Sequence, residues 1–418
     1  MGGLSGLLVF SLGILIQIRY CHSSSITTCL PQNYAALFIF GDSLFDNGNN
    51  NYINTTTSYQ ANYAPYGQTF FKYPSGRFSD GRMISDVVAE LAKLPILPPY
   101  LHPGRVEQIY GVNFASGGAG ALSETSQGFR ISSKERLCLL AIYCIFQTSI
   151  MIIVVSQEHS SHANQESNQK QRKGVNHQCY RPKTQLSYLK NLKNLFSERV
   201  GKEIAEEIMS KSVYLFSIGS NDYASLLNTN SSSVLLPGDH QGFVDTVIGN
   251  LTEVITEIYK LGGKKFGFVN MGPLGCSPAI RVLVNNGSTC FEEFSAIARL
   301  HNNALSEKLH QLEKQLKGFR YSINDFYGAF SEVLNNPTKY GFTEASVACC
   351  GGGAYRGDGS CGGNKGLKEY ELCENVNEHL FFDSNHLTDR ASQHFAELIW
   401  NGNHTVTAPY NLKQLFEF

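Results

Sequence analysis

Ser43 stands directly behind an apolar run in "LFIFGDSLFDNGNN" (37–50), where a turn closing a buried strand would lift its hydroxyl clear of the chain. A serine hydroxyl is a weak nucleophile until a histidine takes its proton and a third group orients that histidine. Near the C-terminus, "LFFDSNHLTDRASQHFAELIW" (380–400) supplies Asp383 and His386 just ahead of a helical pattern. Of the twelve histidines, only His386 has an aspartate three places before it. Across a loop that separation turns both side chains the same way, so Asp383 can meet one imidazole nitrogen while the other faces Ser43. The plain alternative is a surface Asp and His beside a helix start.

Hydrolysing an acyl bond also requires donors for the oxyanion that forms on attack. The Ser43 N–H, at an expected strand-to-helix turn, is one candidate. Gly118 in "NFASGGAGAL" (113–122) is a second, because the missing side chain permits close backbone approach. The side-chain amide of Asn221 in "IGSNDY" (218–223) is a third. Each motif alone has a structural reading: Gly117-Gly118 as a flexible turn, Asn221-Asp222 as a helix cap. Their recurrence at successive strand ends favours function.

The elements that must position these residues are short and nearly continuous in hydrophobics, as parallel strands buried on both faces are. They are "AALFIF" (35–40), "IYGVNFA" (109–115), "VYLFSI" (213–218) and "KFGFVN" (265–270). Between them Ile84, Val87, Val88, Leu91 and Leu94 recur at helical spacing, as do Phe243, Val247, Leu251, Val254, Ile255 and Ile258. A longer helix follows Cys290, with Phe294, Ile297, Leu305, Leu309, Leu312 and Leu316 apolar. Alternating strands and helices imply a three-layer α/β/α domain around a central parallel sheet, with ligands bound beyond the carboxyl ends of its strands.

A chain of 418 residues, 42% hydrophobic and 17% charged, can bury a large core. Its formal charge of -1 argues against a nucleic acid partner. Residues 1–24 read as a signal peptide, with an apolar stretch from Leu7 to Ile18, although no Lys or Arg precedes it. Asn-x-Ser/Thr triplets begin at Asn54, Asn230, Asn250, Asn286 and Asn403, each expected to carry a glycan on an exposed loop of a secreted chain. Eleven cysteines suit an oxidising compartment, and Cys349, Cys350, Cys361 and Cys373 crowd a glycine-rich loop where disulfides are expected. A zinc site is the weaker reading because no C-x-x-C pair occurs in that cluster.

The blocks "FGDSLFDNGNN", "NFASGGAGAL", "IGSNDY" and "FFDSNHLT" resemble those of the plant GDSL-type esterases and lipases, within the SGNH hydrolases. "PYGQTFFKYPSGRFSDGR" (65–82) and "GGKKFGFVNMGPLGCSP" (262–278) extend the resemblance from about Ala35 to the C-terminus. It implies a flavodoxin-like α/β/α fold and a mostly secreted protein that hydrolyses carboxylic esters without metal or organic cofactor. It also implies Ser43 as nucleophile, Asp383 and His386 as the rest of a triad, and Ser43, Gly118 and Asn221 as the oxyanion hole. Two adjacent glycines leave the register open, so Gly117 is the alternative to Gly118.

The resemblance breaks between about Gly128 and Lys183, and residues 129–182 read as an atypical insertion in a hydrolase domain spanning 35–418. Its first part, "LCLLAIYCIFQTSIMIIVV" (137–155), has nineteen residues without a charge, the length of a membrane span. Its second, "SQEHSSHANQESNQKQRKGVNHQ" (156–178), has the polar composition of a disordered loop. A single crossing would leave Ser43 and Gly118 on one side of the bilayer and Asn221, Asp383 and His386 on the other. An assembled site therefore requires that no stable span form; the segment is expected to be no part of the ancestral fold, as translated intron sequence or an isoform-specific insertion, and a buried helix with a long loop is the alternative.

The rival to a secreted serine esterase or lipase is a non-catalytic extracellular binding protein on the same fold, inactivated by the insertion. Phosphate or flavin binding at the strand ends is weaker, since no G-x-x-x-x-G-K-[ST] loop or G-x-G-x-x-G fingerprint follows a strand.

Overall fold

The computed structural model describes residues 35–104, 108–122, 125, 179–227, 239–283, 290–359, 361–362 and 370–418. The expected signal peptide at 1–24, the triplets at Asn230 and Asn286, and the insertion as far as residue 178 lie outside them.

The elements run β1 (Leu37–Gly41), α1 (Ile84–Leu91), β2 (Gly111–Asn113), α2 (Pro182–Val200), α3 (Lys202–Lys211), β3 (Val213–Ser217), α4 (Ser220–Leu226) and α5 (His240–Lys260). Next come β4 (Lys265–Val269), α6 (Pro278–Leu283), α7 (Glu292–Gln315), β5 (Arg320–Asn324), α8 (Phe326–Asn335) and the short pair β6 (Cys350–Gly351) and β7 (Glu371–Leu372). The chain closes with α9 (Asp389–Asn401), β8 (Thr407–Pro409) and α10 (Leu412–Glu417). The main sheet has the order β2-β1-β3-β4-β5-β8. The first five strands are parallel, and β8 adds to β5 antiparallel.

The continuous apolar runs are explained by burial on two faces. In β1, Phe38 and Phe40 face one core with α2, α3, α5 and α7, whereas Leu37 and Ile39 face another with α1, α8, α9 and α10. In β3, Tyr214 and Phe216 alternate with Val213 and Leu215 in the same way. On the first face, rings form a row across neighbouring strands, with centroids 5.1 Å apart from Phe114 to Phe40, 4.9 Å from Phe40 to Phe216 and 5.3 Å from Phe216 to Phe268. Parallel strands place equivalent residues side by side, so this ladder holds the sheet in the register Phe40↔Phe216↔Phe268. Two strands lacked a clear sequence signal: β5 reads "RYSIN" and β8 is only three residues long with a proline.

The switch point falls at β1, whose neighbours β2 and β3 lie on opposite sides. The end of β1 is completed by a side chain. Gln185 of α2 is fully buried, accepts from Gly41 N at 3.0 Å, and donates from Nε2 to Gly41 O at 2.8 Å and Tyr180 O at 2.6 Å. A single amide thus satisfies both backbone groups of Gly41, two residues before Ser43.

The cysteine-rich loop carries the bridges Cys349–Cys373 and Cys350–Cys361, and a third bridge joins Cys276 to Cys290. Cys349, Cys350 and Cys361 pack with Ala61, Tyr66, Phe78 and Phe382 in a separate small core. Cys349 N and Cys350 N donate to Phe381 O and Phe382 O, which fastens the disulfide loop to the chain entering Asp383. Of the three described glycan triplets, Asn54 and Asn403 are exposed. Asn250 departs from the loop expectation: it lies inside α5, partly buried, with its Nδ2 donating to Thr246 O.

Gln185→Leu keeps the volume but strands the Gly41 N–H and the Tyr180 carbonyl, and a buried group left without a partner costs about 1–3 kcal/mol. A loss of that size in urea unfolding is the expected outcome.

Candidate active site

The turn after β1 is wound around aspartate side chains. Asp42 N donates to Ser217 O across the sheet, Leu44 N donates to the Asp42 carboxylate at 3.0 Å, and Phe45 N and Asp46 N donate to Asp42 O. Asp46 Oδ1 then takes Gly48 N at 2.8 Å and Asn49 N at 2.7 Å. These side chains divert the backbone from a helix. The expected strand-to-helix turn is therefore a loop with a 3₁₀ turn at Asn49–Tyr52, and the first α-helix begins only at Ile84.

At the other end of the chain the loop Asp383–His386 closes on itself. Asp383 Oδ1 accepts from Asn385 N at 2.9 Å and from His386 N at 2.8 Å, and Phe382 N donates to His386 O. This side-chain turn is the origin of the three-residue spacing, because the carboxylate that captures the His386 backbone also lies against its ring. His386 Nδ1 is 2.7 Å from Asp383 Oδ1 and 2.9 Å from Oδ2. His386 Nε2 is 2.8 Å from Ser43 Oγ. Three residues from the two ends of the chain thus form one hydrogen-bonded row.

Asp383 is buried, yet its pKa lies below the ordinary 3.8. Burial is the largest influence and pushes the carboxyl up; the charge of His386 and the hydrogen bonds from His386, Asn385 and Tyr66 together outweigh it. Tyr66 donates its hydroxyl to Asp383 Oδ2 at 2.7 Å, and Phe78 lies with its ring centroid 4.7 Å from that of His386. Tyr66 and Phe78 were missed as site residues, although both fall in the quoted "PYGQTFFKYPSGRFSDGR" segment.

The loop after β2 reaches the same rim. Gly118 has φ +80°, and an added Cβ would come within 2.8 Å of the Tyr59 ring, so glycine is required there on both counts. Gly117 N donates to Asp46 Oδ2 at 2.8 Å, which commits the alternative donor to the turn carrying Ser43. Asn221, at the start of α4, donates from Nδ2 to Ala119 O at 2.9 Å. The asparagines behind Ser43 serve this junction. Asn49 Nδ2 donates to Asn113 O and Ala115 O, Asn50 Nδ2 donates to Gly117 O at 2.9 Å, and Ser116 Oγ donates to Asn50 Oδ1 at 2.6 Å.

The α/β/α sheet has the strand order of a flavodoxin-like fold, and a serine, a histidine and an aspartate are linked at its carboxyl edge. The sequence matches the family described as GDSL-like Lipase/Acylhydrolase over residues 37–399, and the chain belongs to that family. It is 45% identical to GDSL esterase/lipase 5 of Arabidopsis thaliana, over 94% of this chain and 91% of the relative. It is 43% identical to GDSL esterase/lipase 2 of the same plant, over 97% and 95%. To the GDSL lipase of Tanacetum cinerariifolium it is 41% identical over 97% and 94%. Membership places the chain among plant-type ester hydrolases. No helix of the described residues is long and apolar enough to cross a membrane.

Burial raises Asp42 from 3.8 to about 6, against hydrogen bonds from Leu44 N and Ser220 Oγ that favour its charged form. Between those two values the folded protein holds a proton that the unfolded chain has released, so this group's contribution to stability falls as pH rises through that window. Asp42→Asn removes the titration. Denaturant unfolding of the variant is expected to show a shallower loss of stability from about pH 4 to about pH 6 than the parent.

Proposed function

We propose that this chain is a secreted serine esterase or lipase that cleaves lipid or other acyl esters by two-step acyl transfer. The observation that carries the reading is the continuous row from Asp383 through His386 to Ser43, with contacts of 2.7 Å and 2.8 Å. His386 Nε2 takes the proton of Ser43 Oγ as that oxygen attacks the ester carbonyl. Asp383 holds Nδ1–H, which fixes the tautomer and offsets the positive charge that develops on the ring. The carbonyl oxygen, now negative, is received by the N–H groups of Ser43 and Gly118 and by the Asn221 amide. Collapse of the tetrahedral intermediate expels the alcohol, which leaves with the proton from His386. Water then repeats the sequence on the acyl-enzyme, with His386 as base, and releases the acid and free Ser43.

Secretion is supported by the leader-like residues 1–24 and by three bridges closing separations of 14, 24 and 11 residues. Residues 129–178 are best read as translated intron or isoform-specific sequence that is no part of the ancestral fold, whereas Tyr180, bonded to Ser116 and Gln185, and Pro182, at the start of α2, belong to the hydrolase core. Tyr180 N donates to Ser116 Oγ at 2.9 Å, so the chain returns close to where it left the β2 loop, and a segment between such neighbouring ends can be added or removed at modest entropic cost. Mass spectrometry of the mature protein is expected to recover no peptide from within 129–178; recovery of such peptides would oppose this view.

Ser43→Ala is expected to lower kcat on a chromogenic ester by on the order of 10⁶ and to abolish labelling by a fluorophosphonate, while Asn221→Ala lowers kcat roughly 10² to 10³-fold. Hydrolysis by Ser43→Ala at the parent rate would overturn the assignment.

A further inference from the structure

We propose that Asp222 is a positioning residue for one oxyanion donor, acting through the Ala119 carbonyl on the Asn221 amide; the inference rests on the reading of Ser43 and Asn221 above. Asp222 is fully buried, and no step of the acyl transfer uses it. Its Oδ2 accepts from Ala121 N at 2.8 Å, and its Oδ1 accepts from Leu122 N at 3.0 Å and from the Thr125 hydroxyl. All three donors belong to the stretch that follows Gly118.

The neighbouring Asn221 grips the same stretch with opposite polarity, donating Nδ2 to Ala119 O. Residues 221 and 222 therefore hold the loop by its carbonyl and by its N–H groups together. A carbonyl can only accept, so Ala119 O dictates that Asn221 presents nitrogen, not oxygen, on that side. One amide hydrogen is occupied there, and the second is held in a fixed direction for the reaction. Were Ala119 O to shift, the amide could rotate and offer its own oxygen to the developing oxyanion, which would repel it. Asp222 is placed to prevent that shift, because two residues beyond Ala119 the backbone is anchored to its carboxylate. The space is tight as well: a Cβ on Gly120 would lie 2.5 Å from Asp222 Oδ1, so backbone and carboxylate are in direct apposition. On the far side of Gly118 the Asp46 carboxylate holds Gly117 N, so the glycine is bracketed by two anchored segments.

Asp222→Asn preserves size but turns one acceptor into a donor facing an N–H. Steady-state kinetics on a soluble chromogenic ester are expected to show kcat reduced about tenfold or more, short of the roughly 10² to 10³ of losing the Asn221 donor itself, with KM within about twofold of the parent. The deciding measurement is a double-mutant cycle. If Asp222 acts through Asn221, adding Asp222→Asn to Asn221→Ala changes kcat by no more than about twofold, whereas independent effects multiply. Multiplying effects, or a single variant with parent kcat, would overturn the proposal while leaving Ser43 as nucleophile. Should Asp222→Asn not fold, Thr125→Val removes one donor and keeps both N–H contacts. A smaller fall in kcat, absent in the Asn221→Ala background, is then expected; an equal fall in both backgrounds overturns the proposal. Activity retained by Ser43→Ala would instead remove the mechanism on which the inference stands.

Discussion

The structure depends on one requirement: the backbone beyond the carboxyl ends of β1, β2 and β3 is buried, and its N–H and carbonyl groups have left the sheet ladder. Each must find another partner or carry an uncompensated desolvation cost. Some of these partners are backbone groups, as where Asp42 N meets Ser217 O, but many are side chains. Gln185 completes Gly41, Asp46 takes Gly48, Asn49 and Gly117, Asn49 and Asn50 take the carbonyls of the β2 loop, and Asp222 takes Ala121 and Leu122. Because these bonds run between loops, satisfying the backbone and assembling the site are the same event. The rim is thus tied together by side chains of its own loops and by those that α2 and α4 send into it.

The cost appears as buried carboxylates. Asp42 and Asp46 are pushed up to about 6, and Asp222 is raised as well, in every case chiefly by burial and in every case against N–H or hydroxyl donors that favour the charge. Asp383 differs in having the His386 ring beside it and the Tyr66 hydroxyl against its second oxygen, and it alone of the four is lowered. The same residue type therefore performs two tasks according to its neighbours. Surrounded by neutral backbone donors it is structural glue; set against an imidazole it stays ionised and orients the ring.

The parallel core was readable because strands buried on both faces write unbroken apolar runs, and "AALFIF" and "VYLFSI" need no tertiary information to be recognised. The strand β8 was not, since its pairing to β5 arises from where α9 delivers the chain and not from its own three residues. Ser43, Asp383 and His386 were legible from type and spacing, the last two because an aspartate turn captures a backbone and a ring at once. Asp46 and Asp222 lay in plain view inside "FGDSLFDNGNN" and "IGSNDY", yet their loops sit 71 and about 100 residues away along the chain. No local pattern marks a carboxylate whose partners are distant amides. Tyr66 was hidden for the same reason, being 317 residues from the carboxylate it touches.

What belongs to the order of residues alone is therefore the alternation of strands and helices, the choice of Ser43, Asp383 and His386 as candidates and the placement of small polar residues at strand ends. These follow from hydrophobic period and local turn chemistry, which act over a few residues. Which glycine N–H is committed, where the Asn221 amide points and how far Ser43 lies from His386 were settled only by the fold, because each depends on a hydrogen bond between segments that sequence separation keeps apart and only packing of the sheet's two cores brings within 3 Å of one another.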